Sequence, residues 1–104
     1  MKLNKMDVAV KEIAKLYFIA LRNIDYLGFS NGNRDEFSPF YKYYIDVETA
    51  FNNLNSEQKR LINNDYFHQA YLYWWTSLYK KNQYLKLKKA SLARFLEVFH
   101  AIHC

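Results

Sequence analysis

The chain is poor in the residues that break or cross-link a fold. Its 104 residues include two glycines, one proline and one cysteine. So few turn-forming residues argue against a loop-rich or β-rich fold. The lone Cys104 has no partner for an intramolecular disulfide, and a reducing cytoplasm is therefore the expected location.

Long apolar runs are missing as well. No uninterrupted apolar run exceeds six residues, so the sequence predicts neither a membrane span nor a signal-peptide core. Apolar residues still make up 51% of the chain and aromatic residues 19%. That supply is enough for a buried core, and we expect one small domain over residues 1–104.

Helical spacing of apolar residues predicts an all-α domain of four to six helices. Residues 1–27 form the first helix, with Asn4 as its N-cap, and both glycines fall in a loop over 28–38. Two bulky residues of the first helix, Phe18 and Ile19, fall outside its apolar arc, which suggests a second contact surface for a partner or a second copy. The inward positions expected in this helix are Met6, Val10, Ile13, Tyr17, Ala20, Leu21 and Ile24.

The remaining residues, 39–104, also follow a helical pattern. Ser38-Pro39 predicts a capped helix from about Pro39 to Leu54, because proline suits the first helical position. Its expected inward residues are Phe40, Tyr44, Val47, Phe51 and Leu54. Asn55 then caps a third helix that turns Leu61, Ile62, Tyr66 and Phe67 inward. The apolar stretch at 70–78 is interpreted as a short buried segment, with residues 71–75 central to the core.

The last helix, from about Asn82 to His100, has two distinct faces. The apolar arc holds Tyr84, Leu85, Leu87, Leu92, Phe95, Leu96, Val98 and Phe99. The opposite arc holds Asn82, Gln83, Lys86, Lys89, Ala90, Ala93, Arg94 and Glu97. Amide and lysine side chains can pair with base edges, and alanine lets a helix approach closely.

Positive charge is concentrated in the same region. The net charge of +5 arises entirely after residue 54, and six basic residues but no acid lie between Lys80 and Arg94. Such clustering favours a polyanionic partner, although a solvated lysine-rich surface would look the same in sequence. A short segment, a tight turn and this helix together predict a helix-turn-helix over about 70–100.

Two segments carry a resemblance to a known family. The segment 50–62, followed by Tyr66-Phe67, resembles the opening of sigma factor region four. The segment 79–90, followed by Phe95-Leu96, is similar to the recognition helix of phage-encoded sigma-like regulators, and Trp74-Trp75 stands where their supporting helix often has a tryptophan. The resemblance covers residues 44–99, and it implies a DNA-binding transcription regulator that also contacts RNA polymerase.

We therefore predict a double-stranded DNA partner, no cofactor and no enzyme activity. The predicted DNA-binding residues are Lys80, Lys81, Asn82, Gln83, Lys86, Lys89, Ala90 and Arg94. The alternative function is an all-α protein–protein module or a helical homodimer that binds no nucleic acid.

Three other kinds of site were weighed against the DNA-binding hypothesis. His100, His103 and Cys104 could gather three zinc ligands, but a structural zinc site needs a fourth ligand, and we predict no metal. Cys104 has no histidine and amide or acid at a spacing that suggests a thiol enzyme. Tyr71, Tyr73, Trp74 and Trp75 could stack on single-stranded bases, although a place in the core is the preferred interpretation.

Overall fold

Four α-helices and two short helical turns make up the part of the chain that the structure describes. The structure is a computed structural model, and it describes residues 2–26 and 39–103. The α-helices are α1 (Leu3–Tyr26), α2 (Pro39–Asn52), α3 (Ser56–Ile62) and α4 (Lys81–Ile102). A π-helical turn, Asn63–Phe67, follows α3, and a 3₁₀ turn, Trp74–Ser77, precedes α4. The all-α prediction is confirmed for these residues, while the predicted loop and the Ser38 cap lie outside them.

The core forms where α1, α2, α3 and the π-helical turn meet the apolar side of α4. The predicted inward residues of α1 are buried there, except for the half-buried Leu21. Phe95 of α4 sits at the centre, with no exposed surface and its ring between those of Phe67 and Phe99. The periodicity of α1 and α4 therefore predicted the core correctly.

The helix starts differ in how well the sequence predicts them. Asn55 caps α3 as predicted, because its side chain accepts from the Gln58 backbone while Gln58 accepts from the Asn55 backbone. Asn4, by contrast, lies inside α1, which begins one residue earlier. The prediction of Asn4 as an N-cap is wrong, because the main-chain oxygen of Lys2 already accepts the first helical hydrogen bonds.

Five predicted inward residues lie at the surface instead. Phe40 at the start of α2 is exposed, and so is Leu85 at the edge of the apolar arc of α4. The larger correction is the segment 71–73, whose side chains are all exposed. Only Trp74 of the predicted aromatic core segment is buried, and Trp75 is half-buried. The chain turns rather than continuing as an α-helix here, so neighbouring side chains point in different directions.

Phe18 and Ile19 of α1, which suggested a second contact surface, have different surroundings. The Phe18 ring packs within the molecule, 5.4 Å from the Tyr17 ring and 6.1 Å from the Phe67 ring between centroids. Ile19 is 37% exposed. Val8 and Leu16 of the same helix are also exposed, at 65% and 39%. Phe18 is therefore used largely within the molecule, while a contact surface that includes Ile19 stays a prediction.

Candidate nucleic-acid interface

The outward face of α4 brings together the side chains predicted to contact DNA. Packing of Tyr84, Leu92, Phe95 and Phe99 on the core fixes which side of the helix points away. All eight predicted residues are exposed: Lys80, Lys81, Asn82, Gln83, Lys86, Lys89, Ala90 and Arg94. The helical period therefore predicts the exposed side of this helix correctly, although it also places the exposed Leu85 on the inner side.

The charge of this face is largely uncompensated. Four exposed lysines of this face form no ion pair within residues 2–26 and 39–103: Lys80, Lys81, Lys86 and Lys89. Arg94 differs, because its guanidinium lies 3.2 Å from the Glu97 carboxylate. The cationic part of the face is thus its N-terminal half, and the Arg94 end is nearly neutral.

The start of α4 engages one of the predicted base-reading residues. Gln83 Oε1 accepts a hydrogen bond of 2.9 Å from the Lys80 backbone N–H. Bidentate pairing with adenine needs both the amide oxygen and the amide nitrogen. In this conformation Gln83 offers only its NH₂ group, whereas the side chain of Asn82 makes no hydrogen bond to the described residues.

The segment before α4 is shorter than the first helix of a helix-turn-helix motif. Residues 70–73 and 78–80 are non-helical, and the 3₁₀ turn between them is four residues long. The α-helical partner that packs against α4 from this half of the chain is α3. The face of α4 is therefore supported by α3, α1 and α2 rather than by a regular helix immediately before it.

The sixth basic residue, Lys88, points the other way. Its side chain is 19% exposed, and its Nζ lies 3.7 Å from Asp7 of α1 and 3.6 Å from Asp65 of the π-helical turn. The same Nζ lies 5.4 Å from the centre of the Tyr66 ring and 5.7 Å from that of Tyr84. Lys88 therefore joins three elements inside the fold and is not available to a nucleic acid.

Hydrogen bonds complete the cluster around Lys88. Tyr66 donates its hydroxyl to Asp7 at 2.5 Å, and Tyr84 donates its hydroxyl to Asp65. Trp74 Nε1 donates to the other oxygen of Asp65 at 2.8 Å. We refer to Lys88 and the side chains around it as the lysine cluster; these are Asp7, Asp65, Tyr66, Trp74 and Tyr84. Sequence reasoning missed it, although Lys88 stands four residues after Tyr84 on the apolar side of the helix, which was the available signal.

Proton affinities in the lysine cluster reflect these contacts. Burial alone would raise the pKa of Asp7, but the hydrogen bonds from Tyr66 and Lys11 and the charge of Lys88 outweigh burial and hold that pKa below its usual value. Burial, reinforced by the hydrogen bond to a carboxylate, raises the pKa of both Tyr66 and Tyr84. The cluster thus keeps Asp7 ionised and both phenols protonated at neutral pH.

An open groove runs beside the lysine cluster. It encloses about 460 Å³, and the N-terminal part of α1, the π-helical turn, the 3₁₀ region and α4 form its walls. Leu72 and Tyr73 line it, and so does Leu85 of α4. Leu85 lies four residues after Lys81 and four before Lys89, so the groove borders the cationic face.

The residues at the end of α4 that could have offered zinc ligands have other surroundings. His103 Nδ1 lies 2.7 Å from Asp46 Oδ2, and its ring packs on Tyr43 and Phe99. Cys104 lies outside the described residues. Within the described part of the chain, no three His, Cys, Asp or Glu side chains group so as to hold a metal ion.

Comparison with known proteins adds no further constraint. No family model, curated protein or solved structure matches the chain significantly. None of the described helices is both long enough and apolar enough to cross a membrane. Function is therefore inferred from the side chains of this protein alone.

Proposed function

We propose that the protein is a cytoplasmic transcription regulator that binds double-stranded DNA through the outward face of α4. The observation that carries this proposal is the set of four exposed lysines at the N-terminal half of the helix, unpaired with any described carboxylate. Phosphates are the polyanion that such a face would neutralise, with release of the condensed counterions.

The position of each residue along α4 suggests its role. Residues near the start of a helix laid in the major groove reach base edges, so Asn82, Lys86 and Lys89 are the proposed base contacts. Ala90 keeps this surface low enough for close approach. Lys80 is the N-cap of α4 and Lys81 is its first residue, and these two lysines are the proposed phosphate contacts. Gln83 contributes its NH₂ group, and Arg94 contributes weakly because Glu97 competes for it.

The similarity of residues 44–99 to sigma region four supports a wider role. If α4 is the recognition helix of such a protein, RNA polymerase is the second partner. The segment before α4 is not a regular helix, so the proposed motif is a recognition helix supported by α3 rather than a standard helix-turn-helix.

The first test concerns phosphate contacts. Titration of a labelled duplex over a salt series should show steep loss of affinity with salt, because each neutralised phosphate contributes about 0.9 to the logarithmic slope. Lys81→Ala should lower that slope by about one and weaken binding to all duplexes alike. Lys15→Ala, an exposed lysine of α1 with the same change in net charge, is the matched control and should keep the slope.

The second test concerns base contacts. Lys86→Ala should cost about 1–3 kcal/mol of binding free energy and flatten the preference among duplex sequences selected from a random pool. Lys89→Ala should act similarly. Loss of affinity without any change in preference would assign Lys86 to the phosphates instead.

One result would overturn the proposal as a whole. If no duplex binds at low salt, the exposed lysines are only solvated surface. Light scattering that then shows mass increasing with concentration would favour the protein–protein module or homodimer.

A further inference from the structure

The turn before α4 displays a run of large apolar side chains that the fold does not cover. Tyr71, Leu72 and Tyr73 are 75%, 77% and 61% exposed. Scattered single exposures are ordinary in a soluble protein, whereas three consecutive large residues form a contiguous patch of the kind that contacts a ligand or partner.

This turn is held in place by hydrogen bonds around it. The Trp74 backbone N–H donates to the Tyr71 carbonyl at 3.1 Å, and the Ala70 N–H donates to the Asn64 carbonyl at 3.0 Å. Trp74 itself is buried and bonded to Asp65 of the lysine cluster. Tyr71 and Tyr73 are therefore presented on a fixed backbone, which lowers the entropy lost when a ligand binds.

A chain of aromatic rings links the turn to the cationic helix. The Tyr73 ring lies 6.4 Å from the Trp75 ring, and Trp75 stacks on Tyr84 of α4 at 4.4 Å with an interplanar angle of 8°. Tyr73 also lines the open groove together with Leu85, which lies on α4 between Lys81 and Lys89. Tyr73 is thus placed beside the part of α4 that carries these lysines, and Tyr71 is exposed on the same turn two residues earlier.

We infer that Tyr71 and Tyr73 form a stacking platform for unpaired bases, so that the protein binds a duplex with an adjoining single strand more tightly than duplex alone. Aromatic faces accept any base, and neighbouring lysines hold the strand by its phosphates. Lys81 and Lys89 lie one helical turn on either side of Leu85, which lines the same groove as Tyr73. Their charge favours a nucleic acid strand over an apolar protein segment as the occupant. The inference builds on the proposed function of α4, but its test separates the two.

The test compares three labelled DNAs at one fixed salt concentration. They are a blunt duplex, the same duplex with a single-stranded thymine tail, and the same duplex with an abasic tail of equal length. Both tails carry the same phosphates, so only stacking distinguishes them. One stacked base should make the thymine-tailed DNA bind about tenfold more tightly than the abasic-tailed DNA.

Two variants identify the groups responsible. Replacing both tyrosines by leucine keeps apolar bulk but removes the rings, and it should abolish the thymine advantage while duplex affinity stays unchanged. Replacing both by phenylalanine should preserve that advantage. Phe40→Ala removes an exposed aromatic ring from α2 and serves as the matched control, with no expected effect.

Each failure has a distinct signature. Equal binding of the thymine and abasic tails overturns the platform and leaves the duplex proposal standing. A thymine strand that binds while the blunt duplex does not overturns the role of α4 and supports the platform. If the leucine variant keeps the thymine advantage, the rings are not responsible for it and the inference is wrong. If the wild-type protein self-associates in light scattering and both the phenylalanine and the leucine variants do not, the patch is a protein contact and the inference is wrong.

Discussion

The two sides of α4 use the same residue type in opposite ways. Lys86 and Lys89 extend into solvent with no described carboxylate partner, while Lys88 lies among Asp7, Asp65 and two tyrosine rings. Lys88 and Lys89 are adjacent in the sequence, and one helical step of about 100° is enough to point Lys89 into solvent and Lys88 into the lysine cluster. A count of basic residues therefore overstates the charge that this helix can offer to a polyanion.

The comparison also separates two kinds of energetic role. The charges of the outer face repel one another only weakly through water and contribute little to the free energy of unfolding. The side chains of Asp7, Asp65 and Lys88 in the lysine cluster are only 25%, 13% and 19% exposed, and removal of one member weakens the hydrogen bonds and ion pairs of the others. Substitutions on the outer face should change binding, and those in the lysine cluster should change stability.

The largest effect should come from Trp74. This side chain is 6% exposed, and its ring both fills the core and donates to Asp65. Trp74→Ala should lower the free energy of unfolding by about 3–5 kcal/mol, measured by chemical denaturation. Trp75→Ala is the comparison, because that ring is half-buried, and its smaller effect is expected. Equal melting temperatures for wild type and Trp74→Ala would contradict the assignment of Trp74 to the core.

A smaller effect should distinguish the lysines directly. Lys88→Met leaves two carboxylates facing each other without the intervening cation, and it should cost about 1–3 kcal/mol of stability. Lys86→Met makes the same chemical change on the outer face and should shift stability by no more than about 0.5 kcal/mol. If the two variants unfold at the same denaturant concentration, Lys88 contributes nothing beyond an exposed lysine.

The smallest effect should appear in acid. The pKa of Asp7 is lower in the folded protein than its ordinary value of 3.8, so the folded state binds fewer protons there. The stability due to Asp7 is complete above that ordinary value and is lost as pH falls through the lower folded value. Asp7→Asn should therefore flatten the decline in stability below about pH 4. Denaturation at several pH values measures this slope, and an unchanged slope in Asp7→Asn would contradict it.

How far the sequence predicts this structure depends on the length of each periodic segment. α1 and α4 are 24 and 22 residues long, and over six turns the apolar positions define one side with little ambiguity. Their buried residues and the outward direction of the eight predicted site residues were predictable for that reason. The capping box at Asn55 and Gln58 was predictable because it is a local arrangement, complete within four residues.

Segment 70–78 shows where such reasoning fails. Composition alone favours burial of this segment, since nearly every residue is aromatic or aliphatic. Neighbouring side chains are buried together only when they point to the same side of the segment. A turn followed by a four-residue 3₁₀ helix points them in different directions. Only Trp74 reaches the core, because Asp65 and Tyr84 form a site for it.

The all-α class, the two faces of the last helix and the concentration of positive charge on one of them could all be predicted from the sequence. Each of these depends on spacing along a single helix, which is local and periodic. The confinement of Lys88 in the lysine cluster and the exposure of Tyr71 and Tyr73 could not be predicted in this way. Lys88 is held by Asp7 and Asp65, which lie 81 and 23 residues from it in the chain, and the turn beside Tyr73 is held by the bond of Trp74 to Asp65. No local pattern specifies such distant partners.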